Sequence, residues 1–148
     1  MVGFNCQSLK LYNNLMKTKN LRINQLSPQG YEWYQTYLDA LDAKDPELYG
    51  SFLSNDCIMQ MNNADPVEGK SAIITNLTQY WKTFGRLEHD LLNIYGTDSA
   101  FMLEALNHYT RLDGKLVTLR AVALSDRNQS GLVKSFRLYT DTTQLFTS

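Results

Sequence analysis

Cysteine is scarce in this 148-residue chain: there are two, Cys6 and Cys57. They lie far apart, with no CxxC and no histidine at metal-ligand spacing, which argues against a disulfide framework and a zinc motif and fits a reducing compartment. Nothing near Cys57 would lower its pKa, so it reads as an inert thiol. No run of apolar residues approaches the 18 or so that a transmembrane helix needs, so no membrane partner is expected. No 7–15-residue apolar h-region follows the basic residues near the start, which argues against a secretory signal and for a cytoplasmic location. Neither sign of charge dominates. Fourteen basic and fifteen acidic residues leave a formal net charge of −1, too little field to grip a phosphate backbone, and nucleic acid is not an expected partner. Internal repeats, low-complexity tracts and linkers are absent as well. What is present is ordinary globular composition, 43% hydrophobic and 20% charged, in a chain long enough to bury roughly two-thirds of its unfolded surface.

Charge is unevenly placed. The first 31 residues carry Lys10, Lys17, Lys19 and Arg22 and no acid, so Glu32 to Ser148 holds a net of −5. Residues 1–27 read as a basic extension, disordered or with a short helix around Gln7 to Met16, and residues 28–148 as one domain. Ser27-Pro28 opens the ordered pattern, because serine caps a helix and proline is tolerated at its first position. Tyr31, Tyr34, Tyr37, Leu38 and Leu41 then recur at helical spacing, which predicts a helix from Pro28 to Ala43. Asp45-Pro46 starts a second, short helix to about Leu53. A strand follows over Cys57 to Met61, then a loop from Asn62 to Gly69, then a helix over Ser71 to Phe84. After Gly85 the period changes. Four runs, Leu87–Tyr95, Ala100–Leu112, Lys115–Asp126 and Leu132–Thr140, are separated by turn residues, with Asp113-Gly114 a strong hairpin signal. Helices followed by a strand meander predict an α+β fold in which a strongly curved, mainly antiparallel sheet wraps around helices.

That order resembles the NTF2-like superfamily of cone-shaped α+β rolls, and within it the SnoaL-like domains. Their relatives include ketosteroid isomerases, limonene epoxide hydrolases, scytalone dehydratases and polyketide cyclases. The resemblance is carried by Ala40-Leu41-Asp42-Ala43-Lys44-Asp45 at the end of the first helix. Pro66-Val67-Glu68-Gly69-Lys70-Ser71-Ala72-Ile73 carries it before the third helix, and Arg137-Leu138-Tyr139-Thr140-Asp141 in the last strand. It covers about Ser27 to Phe146. It implies a fold that hosts many unrelated reactions.

Matched without gaps to ketosteroid isomerase, the hairpin around Asp113-Gly114 implies that Met102, Glu104, Leu106, His108 and Thr110 point into the cone. On the next strand Val117, Leu119, Ala121 and Ala123 would do so, and on the last Phe136, Leu138 and Thr140. Asn107, Tyr109, Arg120, Arg137 and Tyr139 would then face outward. The isomerase's oxyanion tyrosine falls on Tyr37, but its general base falls on Met61 and its second acid on Ala123, which exchange no protons. The epoxide hydrolases' last-strand aspartate falls on Leu138. The implied catalytic set is therefore Tyr37, Glu104 and His108, with His89 or Asp90 as further candidates. Glu104 and His108 would stand about 13 Å apart on one strand face, at roughly 3.3 Å per residue, and would meet through a substrate. Each also has a structural reading: His108 as the partner of a polar group, Glu104 paired with Arg120 or Arg86, Tyr37 as core.

Trp33, Trp81, Phe84, Met59, Met61, Met102 and Phe136 form an expected apolar wall, or else simply the filled core. Leu119, Ala121, Ala123 and Leu138 complete the ligand-binding set, the two alanines leaving room facing the helix. The resemblance implies cofactor-free acid–base chemistry, isomerisation, cyclisation or dehydration, on a small apolar polyketide- or terpenoid-like molecule. The alternative is a non-catalytic domain that binds a ligand or dimerises. An apolar outer sheet face (Tyr109, Val122, Leu124, Tyr139) points to a homodimer through the sheet under either reading. Nothing in charge or motif content suggests a metal, nucleotide or flavin.

Overall fold

The serine before Pro28 does what its position requires: Ser27 Oγ accepts the Gly30 N–H at 2.9 Å and opens α1, Pro28–Asp42. The structure is a computed structural model that describes residues 16–23 and 25–147. β1 (Arg22–Ile23) precedes α1. Asp45 caps α2, Pro46–Ser51, its carboxylate accepting the N–H groups of Glu47 and Leu48. Then come β2 (Leu53–Met61), β3 (Val67–Glu68), α3 (Lys70–Trp81), β4 (Phe84–Gly96), β5 (Ala100–Arg111), β6 (Leu116–Arg127), β7 (Val133–Thr140) and a final turn of helix, α4 (Thr143–Phe146). The sheet is curved and mixed, in the order β1-β4-β5-β6-β7-β2-β3. The meander β4 to β7 is antiparallel as expected, while β2 returns parallel to β7 and β1 lies parallel to β4.

Two segments read as loop or extension from the sequence join this sheet. β3 falls within the stretch Asn62 to Gly69 and pairs with β2. Residues before Ser27 reach the other edge, where Lys17 bridges Asp90 and Arg22 and Ile23 align with Asn93 and Ile94. The helix expected around Gln7 to Met16 lies outside the described residues apart from Met16, and so does Cys6. Cys57 is buried, and burial pushes its thiol up to about 11, with the Asp56 charge adding to the shift. Among the described residues no helix is long and apolar enough to cross a membrane, and no cluster of three His, Cys, Asp or Glu could hold a metal ion.

Helices and sheet are fastened at two places that bear on the interior. Lys44, at φ +52° just past α1, sends its ammonium to the carbonyls of Trp81 (2.9 Å), Phe84 (2.6 Å) and Gly85 (2.9 Å), tying the α1–α2 turn to the end of α3. At the far end of α1, Asp98 accepts both the N–H and the hydroxyl of Ser27, and Gly30 leaves room for that carboxylate where a Cβ would collide with it. α1 is thus pinned at both ends over the concave sheet face. Tyr34, stacked on Phe101, anchors its middle.

The direction of the β5 side chains is opposite to the expected one. Phe101, Leu103, Ala105, Asn107 and Tyr109 are buried, whereas Met102, Glu104, Leu106, His108 and Thr110 point to the outer face. The cause is the turn. A two-residue hairpin at Asp113-Gly114 would set Leu112 against Lys115. Instead the Arg111 N–H donates to the Lys115 carbonyl, the Gly114 N–H donates back to Arg111, and Gly114 sits at φ +82°. This is a three-residue loop with a left-handed glycine, and it pairs Thr110 with Leu116. Slipping a strand by one residue exchanges its two faces. On β6 and β7 the expected inward residues Val117, Leu119, Ala121, Ala123 and Thr140 are buried and Phe136 and Leu138 half-buried.

Candidate active site

β4 alternates Leu87, His89, Leu91 toward the inside, and His89 therefore lands in an apolar layer with 7% of its surface exposed. A buried imidazole needs partners. Asp42, in the last turn of α1, supplies them: its Oδ1 accepts His89 Nδ1–H at 2.5 Å and its Oδ2 accepts the His89 backbone N–H at 3.1 Å. The Asp42 side chain is fully buried. A carboxylate on Nδ1 fixes the tautomer and leaves Nε2 as the ring nitrogen available to a ligand.

Nε2 has somewhere to act. His89 lines a cavity between α1, α3 and the sheet with about 60 Å³ of space for the centres of water-sized molecules. Its buried walls come from Leu38, Leu41, Tyr49, Trp81, Leu87, Leu103, Ala105, Ala121 and Ala123, and its half-buried rim from Met59, Met61, Leu77, Tyr80, Phe136 and Leu138. Three polar side chains join His89. Asn107 stands directly across from it in the β4–β5 register, and its Oδ1 is buried without a hydrogen-bond partner among the described residues. Tyr109, one inward position further along β5, shares a 3.1 Å hydrogen bond with the hydroxyl of Tyr80 on α3. Burial holds both phenols above their ordinary pKa, Tyr109 well above it with Tyr80 adding to the shift. Both are therefore neutral donors at physiological pH, and since one proton serves their mutual bond the other is free for a ligand.

Asp39, one turn before Asp42, has both carboxyl oxygens buried without a hydrogen-bond partner among the described residues. Burial first, and the Asp42 charge second, raise it from 3.8 to about 6. The folded protein thus holds this proton more tightly than the unfolded chain. The contribution to stability is present below pH 3.8 and lost as pH rises through about 6, because the folded state binds more protons across that window. The Asp39→Asn protein should therefore melt a few degrees above wild type at pH 7.5 and level with it near pH 4. Thermal denaturation of the pair across pH 4–8 checks this, and a constant difference between them would refute it.

The residues expected from the sequence divide into three groups. Met59, Met61, Trp81, Ala121, Ala123, Phe136 and Leu138 line the cavity. Tyr37 is fully buried behind it, its hydroxyl 2.7 Å from that of Tyr49 and its ring stacked on Trp33, so it reaches the cavity only through Tyr49. Trp33, Phe84 and Leu119 pack in or against the core without lining the cavity: Trp33 carries the Arg127 guanidinium on its face, and Phe84 meets Tyr80 and Tyr109 edge-on. The third group corrects the expectation. Glu104 lies on the outer face, accepting Arg120 at 2.5 Å and Asn93 at 2.6 Å. His108 lies there too, hydrogen-bonded to Thr118 at 2.8 Å with Asp90 at 3.6 Å, and Met102 is 37% exposed. The β5 slip that carried them outward brought Asn107 and Tyr109 in. Arg137 faces Asp126, and Asp141 caps the last helical turn through Thr143, so neither belongs to the cavity.

Residues 34–135 match the family model of the SnoaL-like domain. Among solved structures, an NTF2-like protein of unknown function from Burkholderia pseudomallei superposes with a TM-score of 0.72 at 13% identity, over 82% of this chain and 100% of that one. A candidate SnoaL-like polyketide cyclase from Shewanella putrefaciens gives 0.68 at 20% identity, over 78% and 91%. An epoxide hydrolase of the LEH-like type from M. tuberculosis gives 0.66 at 17%, over 80% and 86%. A comparison with curated proteins finds no match. At these identities the structural likeness carries the fold alone.

Proposed function

The chain belongs to the SnoaL-like domain family, and on that premise we propose that it is a cofactor-independent acid–base enzyme, an isomerase, cyclase or dehydratase for a small, largely apolar molecule bound in the cone. The observation that carries this reading is the buried Asp42–His89 pair at 2.5 Å opening onto a largely apolar cavity that also holds Asn107, Tyr80 and Tyr109. His89 Nε2 is the base. It takes a proton from the substrate, and Asp42 holds the imidazolium that results. The Tyr80–Tyr109 pair donates to the oxygen on which charge develops. His89 and Tyr109 sit on diagonal cross-strand positions, about 7–8 Å apart at Cα, a span that a substrate's functional group fills. In an isomerisation the proton leaves one carbon for Nε2 and returns to another, so no further reactant is needed.

The test is proton exchange in deuterated water with a panel of single-ring ketones and hydroxyketones. Wild type should accelerate exchange at carbon in at least one member, and His89→Gln should slow it by roughly 10²–10⁴, the usual worth of a positioned general base. Equal rates for the two proteins would remove His89 from the chemistry, and no exchange anywhere would leave a binding protein in place of an enzyme.

The homodimer is proposed on the outer face as the structure draws it. Tyr109 is inside, but Tyr95, Met102 and Tyr139 are each more than a third exposed there, beside Val122 and Leu124. Sedimentation velocity at micromolar concentration should show a species of twice the 17.0 kDa chain mass, and a monomer alone would end the proposal.

A further inference from the structure

The cavity has acceptors in need of donors and no cation to hold an anion, and from that we infer its ligand: a neutral molecule the size of one ring that carries a hydroxyl group, placed against Asn107. The inference rests on the cavity being the binding site proposed above, and it concerns what binds there rather than what reacts.

Three observations meet. The first is size. The cavity's 60 Å³ is less than half of the roughly 150 Å³ that takes up benzene in an engineered apolar core, so the ligand is at most a single ring reaching into the half-buried rim. The fused rings of a large polyketide do not fit. The second is charge. No lysine or arginine is among the residues lining the cavity, its one histidine, His89, presents Nε2 as an acceptor in the tautomer that Asp42 fixes, and the fully buried Asp42 and its neighbour Asp39 are the nearby carboxylates. Lys44, the nearest cation along the chain, spends its ammonium on three backbone carbonyls. A carboxylate or phosphate would be desolvated there beside like charge, with nothing to offset the cost.

The third is polarity. The Asn107 side chain hydrogen-bonds toward the Tyr109 hydroxyl, opposing the rise in its pKa, while Oδ1 remains buried and unpartnered among the described residues. An unsatisfied buried acceptor is costly and is relieved by an O–H donor. The same hydroxyl oxygen can accept the free proton of the Tyr80–Tyr109 pair. A ketone answers only the second of these needs and a hydrocarbon neither.

The experiment is calorimetric titration of the whole chain with five compounds: cyclohexanol, cyclohexanone, methylcyclohexane, cyclohexanecarboxylate and the two-ring 2-decalol. Cyclohexanol should bind tightest, with the ketone and hydrocarbon weaker by about five-fold or more, the carboxylate by at least ten-fold, and 2-decalol also weaker. Asn107→Leu should bind cyclohexanol and methylcyclohexane within about two-fold of each other. Carboxylate binding equal to or tighter than the alcohol would overturn the charge argument, and tighter 2-decalol the size argument. An undiminished alcohol preference in Asn107→Leu would overturn the role of Asn107. The wild-type series decides the question even where that variant fails to fold. Because only binding is read, selective binding here together with no proton exchange in the ketone panel would sink the enzyme reading and leave this one standing.

Discussion

Asp42→Ala should melt roughly 10 °C below wild type. The carboxylate accepts two N–H groups of His89, one from the ring and one from the backbone, and its side chain is fully buried. Alanine leaves both donors without a partner in a low-dielectric interior, and removing one member of a buried pair costs about 3–5 kcal/mol. For a chain of this size each kcal/mol is worth about 2–4 °C. Relief of Asp39 from its charged neighbour offsets only part of the loss, because burial and not Asp42 is the larger cause of its raised pKa. Asp42→Asn separates structure from chemistry. An asparagine keeps the shape and can accept the backbone N–H, but its amide then presents a donor to Nδ1. That reverses the tautomer and puts the proton on Nε2, where a base is needed. Its melting point should fall by no more than about half as much, while turnover drops about 10³–10⁴-fold, as when the orienting carboxylate of a catalytic histidine is amidated. Nitrogen NMR of the His89 ring reads the tautomer directly. A melting point for Asp42→Ala within 2 °C of wild type would show that the pair contributes nothing to the fold.

Much of this architecture is legible in the chain because its boundaries are chemical. Ser27-Pro28 and Asp45-Pro46 cap α1 and α2 where the sequence places them, and the β4–β7 meander is punctuated by its turns. The face of β5 is not legible by the same means. Met102 and Leu106 are apolar on one face while Asn107 is polar on the other, so alternation does not choose between them. One extra residue in the loop before Lys115 decides it. The left-handed preference of Gly114 suits a two-residue turn and a three-residue loop alike, so it does not decide between them. His89 stands among the candidates from the sequence, and Asp42 could have joined it. Each is a polar residue on an otherwise apolar stripe, Asp42 after Leu38 and Leu41 on α1 and His89 between Leu87 and Leu91 on β4. Their meeting across 47 positions belongs to the tertiary packing alone. β1 and β3 are two residues each and draw their stability from the neighbouring strands rather than from any pattern of their own.

Ala121→Leu should abolish ligand binding and turnover while leaving the protein as stable as wild type or more so. Ala121 and Ala123 are buried on β6, opposite Ala105 and Leu103, and three of these four are alanines, so the sheet here is lined by methyl groups where a packed core would carry larger side chains. Space left empty in this way forgoes dispersion contacts, and a side chain that fills it regains them. Leucine adds three carbons directly into the cavity. Cavity-filling substitutions commonly gain about 0.5–2 kcal/mol, so the melting point should hold or rise by a few degrees. Activity should fall at least 100-fold, because the ring that must approach His89 no longer fits between β6 and α1. The pairing of a stable fold with lost activity is the informative outcome, since it separates a space kept open for a ligand from ordinary loose packing. Denaturation and turnover measured on one preparation of Ala121→Leu decide between them. A loss of more than about 2 kcal/mol would mean that the space is too small to accept a leucine, and undiminished turnover would place the chemistry outside the cone.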